Sequence, residues 1–369
     1  MTASTAQSPF GALIGQYKVH PGRRRSIVGQ RPVLQAGTLV RLLRGQSGVR
    51  IPHSLGCLFS LCGHAHQRVA ALAWNAAYPQ ADPIPVAPRA LLRLETARDH
   101  LRGMALDWPL RLGLGSRAVQ WLMELLSCPA MSATTSKMTD ERAIQFLGLL
   151  RNLILEIQGT VHYSPLQLVE KWRPLALSLK PELNALDVLH PDPLEQNLRL
   201  CEVARAMRLD ADFVQSPTWR GQCAETGAWT RLRHRQDSVG EEVSVWTRLS
   251  SRWREVVDIA FASQIPEEAQ QDPLLSSGAL ALGEGSAIAW CEMARGLLVH
   301  WVQVDERGAV VDYRVLAPTE WNFHPQSTLA YALSELRTDD ARSAQCLVAA
   351  FDACVECTID SLATGLDCA

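Results

Sequence analysis

Through the middle of the chain apolar residues recur at the 3.6-residue period of an α-helix, and past Leu297 that period gives way to β-prone runs. Leu91, Leu94, Leu101 and Ala105 place one apolar face on the segment from Ala90 to Leu106. Asp140 to Ile157 repeats the pattern with Ala143, Phe146, Leu147, Leu150 and Ile154, and Asp140 is placed to cap it. The same reasoning predicts helices over His64–Trp74, Arg117–Leu126, Pro193–Met207, Ser244–Gln264, Pro325–Leu336 and Ala341–Ala350. Between Lys18 and Arg50, by contrast, Gly and Pro break short apolar runs. Ser26 to Val28, Pro32 to Leu34 and Thr38 to Leu43 read as short strands or irregular structure. Leu297–Val304 and Ala309–Leu316, separated by Asp305-Glu306-Arg307-Gly308, carry a hairpin signal. The expected fold is mainly α with small β elements towards both ends, an α+β chain. Residues 1–369 read as a single domain, with 1–10 and 361–369 as flexible ends.

Composition narrows the function. With 47% hydrophobic residues in 369, the chain can bury a substantial core. Its 36 basic and 38 acidic residues nearly cancel, which gives no reason to expect nucleic acid or an acidic membrane surface. Arg23-Arg24-Arg25 reads as solvated surface. Met1 to Tyr17 lacks the apolar stretch of a signal peptide, and the apolar run Gly278 to Trp290 is too short and too interrupted to span a bilayer. A cytoplasmic protein is expected.

Ten cysteines are too few for a disulfide scaffold of this size. Cys128, Cys201, Cys223, Cys291, Cys346 and Cys368 occur singly and read as small buried or surface residues. Two clusters differ. Cys354-Val355-Glu356-Cys357 has the spacing that lets two thiolates converge on one metal, and equally the spacing of a redox dithiol. A thioredoxin-like dithiol sits between a strand and a helix near a chain's start, which this pair does not. Cys57-Leu58-Phe59-Ser60-Leu61-Cys62-Gly63-His64-Ala65-His66 is the second cluster. Cys62 precedes a Gly at the mouth of an expected helix, where free backbone N–H groups favour a thiolate. His64 and His66 add possible nitrogen ligands, although singly such histidines are more often hydrogen-bonded loop residues.

Taken together the clusters resemble the metal-binding motifs of nickel–iron hydrogenase large subunits. Cys62-Gly63-His64-Ala65 resembles the N-terminal Cys-Gly-x-Cys, and Asp352-Ala353-Cys354-Val355-Glu356-Cys357 the C-terminal Asp-Pro-Cys-x-x-Cys. Further segments follow in the family's order. Leu42-Leu43-Arg44-Gly45 is similar to its Leu-Arg-Gly segment, and Asp99-His100 with Leu106-Asp107-Trp108 to its Asp-His and Leu-Asp-Trp. Arg295-Gly296-Leu297-Leu298-Val299-His300 resembles Arg-Gly-x-Leu-x-His, and Pro318-Thr319-Glu320-Trp321-Asn322 resembles Pro-Thr-Thr-Trp-Asn.

The resemblance implies a large-subunit-like helical core in which the two cysteine motifs converge at the centre. It implies that Cys62, Cys354 and Cys357 bind metal, with Cys57, His64 and His66 as possible additional ligands. It places Arg295, Thr319, Asp352 and Glu292 around the cyanides; the plain alternative for Arg295 is an ion pair with Glu292. Ala65 stands where the enzymes carry a bridging cysteine, so nickel is not expected to be retained. Asp360 stands where they carry a basic residue or histidine before a cleaved extension, and no processing signal follows. A damaged nickel site without processing resembles the HupK/HoxV type of accessory protein. That likeness implies a scaffold with no hydrogenase activity of its own. It would hold an Fe(CN)2(CO) fragment transiently and work with the hydrogenase large subunit, a small HypC-like chaperone and a HypD-like protein. A metal-free assembly chaperone and, last, a divergent hydrogenase or hydrogen sensor are the alternatives.

Overall fold

The computed structural model describes residues 13–35, 37–59, 61–113, 140–159, 183–184, 188–236, 243–262 and 272–360. The helix expected over Arg117–Leu126, Cys128, Cys368 and the ends 1–10 and 361–369 lie outside the described residues.

In chain order the elements are β1 (Gln16–Val19), β2 (Ile27–Gln30), α1 (Thr38–Leu43), α2 (Arg50–Leu58), α3 (Gly63–Ala77) and α4 (Arg89–Arg102). A π-helical turn, Gly103–Asp107, joins α4 to α5 (Trp108–Leu112). Next come α6 (Asp140–Gly159), β3 (Leu183–Asn184), α7 (Pro193–Leu209), β4 (Ala224–Glu225), α8 (Ala228–Gln236) and α9 (Val245–Phe261). The last third holds β5 (Ser277–Gly283), β6 (Ser286–Met293), β7 (Gly296–Val304), β8 (Val310–Leu316), α10 (Pro318–Asn322), α11 (Thr328–Ser334), α12 (Ala341–Phe351) and β9 (Glu356–Ile359).

Local chemistry starts the longer helices. Asp192 accepts from the N–H groups of Leu194 and Glu195 ahead of α7, with Pro193 at the first helical position. Ser244 and Thr247 form a reciprocal capping box on α9, and Asp340 accepts from Ser343 N–H on α12. Asp140 is the first residue of α6, and the stripe expected on that helix is buried at Phe146, Leu150 and Ile154.

The sheets depart most from expectation. The hairpin grows into a four-stranded antiparallel sheet, β5-β6-β7-β8. Its inner strands are buried on both faces: α3 supplies Val69 and Ala73 to one side, and α7 supplies Leu200, Val203 and Met207 to the other. A strand covered twice shows no polar–apolar alternation, which is why Ser286 to Met293 carries no strand signal. Thr38–Leu43 is a helix, not a strand; Leu39, Val40 and Leu43 are buried at one helical face, and six residues are too few for the period to declare itself. The expected helix over Ala90–Leu106 instead ends at Arg102 and passes into the π turn.

A third sheet, β2-β1-β9, ties the two ends of the described chain together. β1 pairs parallel with β9, opposing Tyr17 to Cys357. Helices α4, α6, α9 and α12 pack a helical core beside it, with Leu101, Phe146, Leu249 and Leu347 buried. No helix among the described residues is long and apolar enough to cross a membrane. Arg23, Arg24 and Arg25 are exposed, as expected.

Candidate functional site

Four segments distant in sequence meet around Cys354. The first is the loop that leaves α12. Asp352 ends that helix in the left-handed region at φ 50°, an uncommon conformation for a non-glycine residue, and turns the chain into Ala353 and Cys354. The Cys354 N–H then donates to Thr319 Oγ1 at 3.2 Å. Thr319 lies on α10 and is 2% exposed, so with its lone pair engaged the hydroxyl keeps its own proton for a further acceptor. Cys62, the residue before α3, is buried, and Cys354 is among the neighbours that raise its pKa.

Arg295 faces the same two cysteines. It stands in the tight turn between β6 and β7, beside Gly296 at φ 130°, where a Cβ would collide with Thr226. Thr226 Oγ1 accepts from Leu297 N–H at 2.8 Å. Asn322 on α10 pins Thr226 in turn, accepting from its N–H at 3.0 Å and donating to its carbonyl at 2.8 Å. The Thr-x-Trp-Asn segment therefore places Thr319 directly and the Arg295 turn through Thr226.

Arg295 donates from Nη1 to Asp99 Oδ2 at 3.0 Å, and its Nε lies 3.5 Å from Asp352. The alternative partner, Glu292, is elsewhere: it accepts from Ser276 N–H and lies 3.9 Å from Arg231. Glu292 is thus not placed with the cysteines. Its β6 position points it to the α8 side of the hairpin. Arg252 donates to the Ala350 carbonyl at 2.7 Å and lies 3.9 Å from Asp352, so two guanidinium groups converge on that carboxylate. Burial works against ionised Asp352, yet Arg252 and Arg295 hold it below the usual carboxylate range.

A cavity of about 370 Å³ opens beside these groups, walled by Asp99, Arg252, Arg295, Asp352, Cys354 and Cys357 and floored by the π turn at Gly103, Leu106 and Asp107. Inserted π turns frequently re-aim side chains at functional sites. Cys357 is on β9, 5% exposed, and Arg111 Nη2 donates to its carbonyl at 3.1 Å. Burial pushes its thiol up to about 11, opposed in part by Arg111.

Other expected ligands go elsewhere. Cys57 is exposed on α2, 3.9 Å from His53. His66 stacks on Phe59 and shares a 3.0 Å contact with His300, which in turn bonds Tyr313 at 2.8 Å. That chain runs into the core between α3 and the sheet, because the first turn of α3 aims residue 66 at β7. His64 is buried with neither ring nitrogen hydrogen-bonded among the described residues; burial and Arg98 lower its pKa to about 4. The helix-mouth argument for a Cys62 thiolate also fails. The N–H groups of His64 and Ala65 both donate to buried Glu95, at 2.8 and 3.0 Å. Burial, Cys354 and Glu95 raise the Cys62 pKa well above its ordinary value, against Arg295. Among the described residues no three or more His, Cys, Asp or Glu side chains are already grouped as a metal site.

Residues that the sequence reading left out of the site include Glu95, Thr226 and Arg252. One signal was available: Arg93, Glu95, Asp99 and His100 all fall on buried positions of α4, far more charge than a merely structural helix face carries.

No family model matches the chain. Over a 384-residue alignment it is 38% identical to the hydrogenase expression/formation protein HoxV of Cupriavidus necator, covering 95% of this chain and 96% of that one. The chain belongs to the HoxV/HupK family. Within that family it is 28% identical to HupK of Bradyrhizobium diazoefficiens, over 87% of this chain and 89% of that one. Among solved structures it resembles the nickel–iron–selenium hydrogenase of Dm. baculatum, with a TM-score of 0.55 at 12% identity over 88% of this chain and 92% of that one. The corresponding hydrogenase of Desulfovibrio vulgaris Hildenborough gives 0.53 at 12% identity, over 92% and 98%. At such identity the likeness establishes the HoxV/HupK chain as having the hydrogenase large-subunit fold, and nothing further.

Proposed function

We propose that this chain acts in the maturation of a nickel–iron hydrogenase, as a carrier that holds the Fe(CN)2(CO) fragment before the large subunit receives it. Cys62, Cys354 and Cys357 supply the sulfur donors, since soft thiolates suit a low-spin iron fragment. Arg295 and Thr319 offer N–H and O–H donors to the cyanides. Nickel finds no lasting place, because Ala65 brings no donor atom to the position of a bridging thiolate. What supports this reading is Cys354, held by Thr319, sharing one cavity with Cys357 and Arg295, in a chain whose relatives are named hydrogenase expression/formation proteins.

Both cysteines whose pKa values are raised must lose their protons to bind iron, so loading releases protons and release is favoured by acid. That is the behaviour of an exchangeable site. The partners are the hydrogenase large subunit, a small HypC-like chaperone and a HypD-like protein, and the compartment is the cytoplasm. The chain performs no hydrogen chemistry itself.

Infrared spectra of protein purified without oxygen, from cells with intact maturation genes, should show cyanide and carbon monoxide bands. Iron without nickel should accompany them. Their absence from protein that is folded and supports maturation would sink the carrier reading.

One observation favours a second reading, a metal-free assembly chaperone: among the described residues no cluster of donors is grouped for metal. It predicts full hydrogenase maturation by a protein in which Cys354 and Cys357 are both Ser. A divergent hydrogenase or sensor stands last, and hydrogen-dependent dye reduction by the purified chain is its test.

A further inference from the structure

Arg31 is a second cation beside the cysteines. It is 4% exposed and precedes the 3-10 turn Pro32–Leu34. Its Nη1 lies 3.5 Å from both carboxylate oxygens of Glu320, and its guanidinium lies 5.9 Å from the centre of the Phe59 ring. Those two neighbours lead to the two cysteine segments. The Phe59 carbonyl accepts from Cys62 N–H at 3.0 Å, and Glu320 adjoins Thr319, the acceptor of Cys354 N–H. Arg31 therefore bridges the walls that carry Cys62 and Cys354, and its charge interacts with both.

Its bonding is incomplete. The Nε–H of Arg31 is sealed from solvent and has no hydrogen-bond partner among the described residues. Buried donors are rarely left so, and an exception calls for an explanation such as an absent ligand. The opposite edge is well anchored: Glu320 also receives the Tyr17 hydroxyl at 3.4 Å, and Tyr17, Arg31 and Glu320 together line a separate cavity of about 560 Å³. Glu320 is itself a departure from the Pro-Thr-Thr-Trp-Asn pattern that the surrounding residues follow. Burial raises its pKa, opposed by Arg31 and by the Tyr17 hydroxyl. Arg295 has Asp99 and Asp352 as ion-pair partners, and its own Nε likewise lacks a hydrogen-bond partner among the described residues.

We infer that Arg31 is a second anion-holding arm of the site, donating from Nε to an anionic diatomic ligand on the iron bound by Cys62, Cys354 and Cys357, with Glu320 and Tyr17 as its positioning residues. The inference rests on the carrier reading. Iron(II) with two cyanides is formally neutral, so thiolate ligation makes the loaded centre anionic. Arg295, whose charge is shared with Asp99 and Asp352, does not offset that charge alone. Two arginines on different walls also discriminate between ligands: each favours a cyanide, which accepts hydrogen bonds strongly, over carbon monoxide, which does not.

The test compares full-length unaltered protein with R31K, R31Q and E320T, all purified without oxygen from cells with intact maturation genes. Infrared spectra and the rate of iron loss to a chelator are read on each. In R31Q a cyanide band should move and iron should leave about tenfold faster, the effect of losing one charge-assisted hydrogen bond. R31K should recover part of the retention, and E320T should speed iron loss while keeping Arg31. Cyanide bands and iron loss in R31Q and R31K that match the unaltered protein overturn the inference and leave the carrier reading intact. Absence of bands in the unaltered protein overturns both. Should R31Q fail to fold, R31K decides alone: moved cyanide bands at an unchanged melting temperature support the arm, and unmoved bands overturn it.

Discussion

Arg295 in the β6–β7 turn donates to Asp99 on α4 across 196 residues of sequence, at 3.0 Å, with Asp99 buried and Arg295 partly exposed at the cavity wall. The pair fixes the cation that faces Cys62 and Cys354. Removing one partner of a buried ion pair leaves the other uncompensated, at a typical cost of about 3 kcal/mol or somewhat more. D99N should therefore lower the urea midpoint substantially and reduce iron content after anaerobic purification. A midpoint unchanged within error would contradict the assigned pairing.

The Thr319 hydroxyl holds the Cys354 backbone. T319V keeps the volume and removes the acceptor, which should cost about 1–2 kcal/mol. T319S should restore most of the loss. Equal stability of T319V and T319S, measured by denaturant titration, would remove Thr319 from this role.

Glu255 accepts two bonds from Arg231, at 2.8 and 2.6 Å, and one from His100 Nε2 at 2.7 Å. Burial works against the ionised carboxylate, but Arg231 and His100 hold it well below its usual range. E255Q should destabilise by about 3–5 kcal/mol. Because the folded pKa is depressed, the stabilisation is complete above the unfolded value of about 4.3 and lost only as pH falls below it. The difference between E255Q and the unaltered protein should accordingly be constant from pH 6 to 8.

Acid should weaken the fold earlier, through histidines. Burial lowers the pKa of His300 to about 3, and burial and His300 lower that of His66 well below its ordinary value. Both are neutral in the core, so their contribution is fully present above the unfolded value of about 6.5 and declines as pH falls below it. The slope is about 1.4 kcal/mol per pH unit for each. Urea midpoints at pH 7.5 and 5.5 measure it, and H300N should show the smaller slope. Equal midpoints at the two pH values would exclude neutral buried imidazoles.

Thiol labelling separates the cysteines. Cys57 and Cys201 are exposed, whereas Cys62, Cys291 and Cys346 are buried and Cys357 is held protonated up to about 11. Among the described cysteines, brief alkylation of native protein at pH 7.5, read by mass spectrometry, should modify Cys57 and Cys201 first and spare Cys357. Early labelling of Cys357 would contradict its place on β9.

The helices α3, α4, α6, α7, α9 and α12 were legible because each buries one face of a long periodic segment. The four-stranded sheet was not, since β6 and β7 are covered by α3 and α7 and lose alternation. Of the residues singled out, Arg295, Thr319 and Asp352 lie with Cys354, while Cys57, His66 and Glu292 point away. Spacing along a chain does not say which way a helix or a strand turns its side chains.

By itself the sequence determined the local terms: helix periods, caps at Asp192, Ser244 and Asp340, the spacing of Cys354 and Cys357, and the missing donor at Ala65. Each depends on residues within a turn or two of one another. Only the tertiary structure decided that Thr319 holds Cys354, that Arg295 takes Asp99 in place of Glu292, and that Arg31 reaches both Phe59 and Glu320 with Nε unbonded among the described residues. Those relationships join residues far apart in sequence, and burial sets their strength. Burial is a property of the packed chain as a whole.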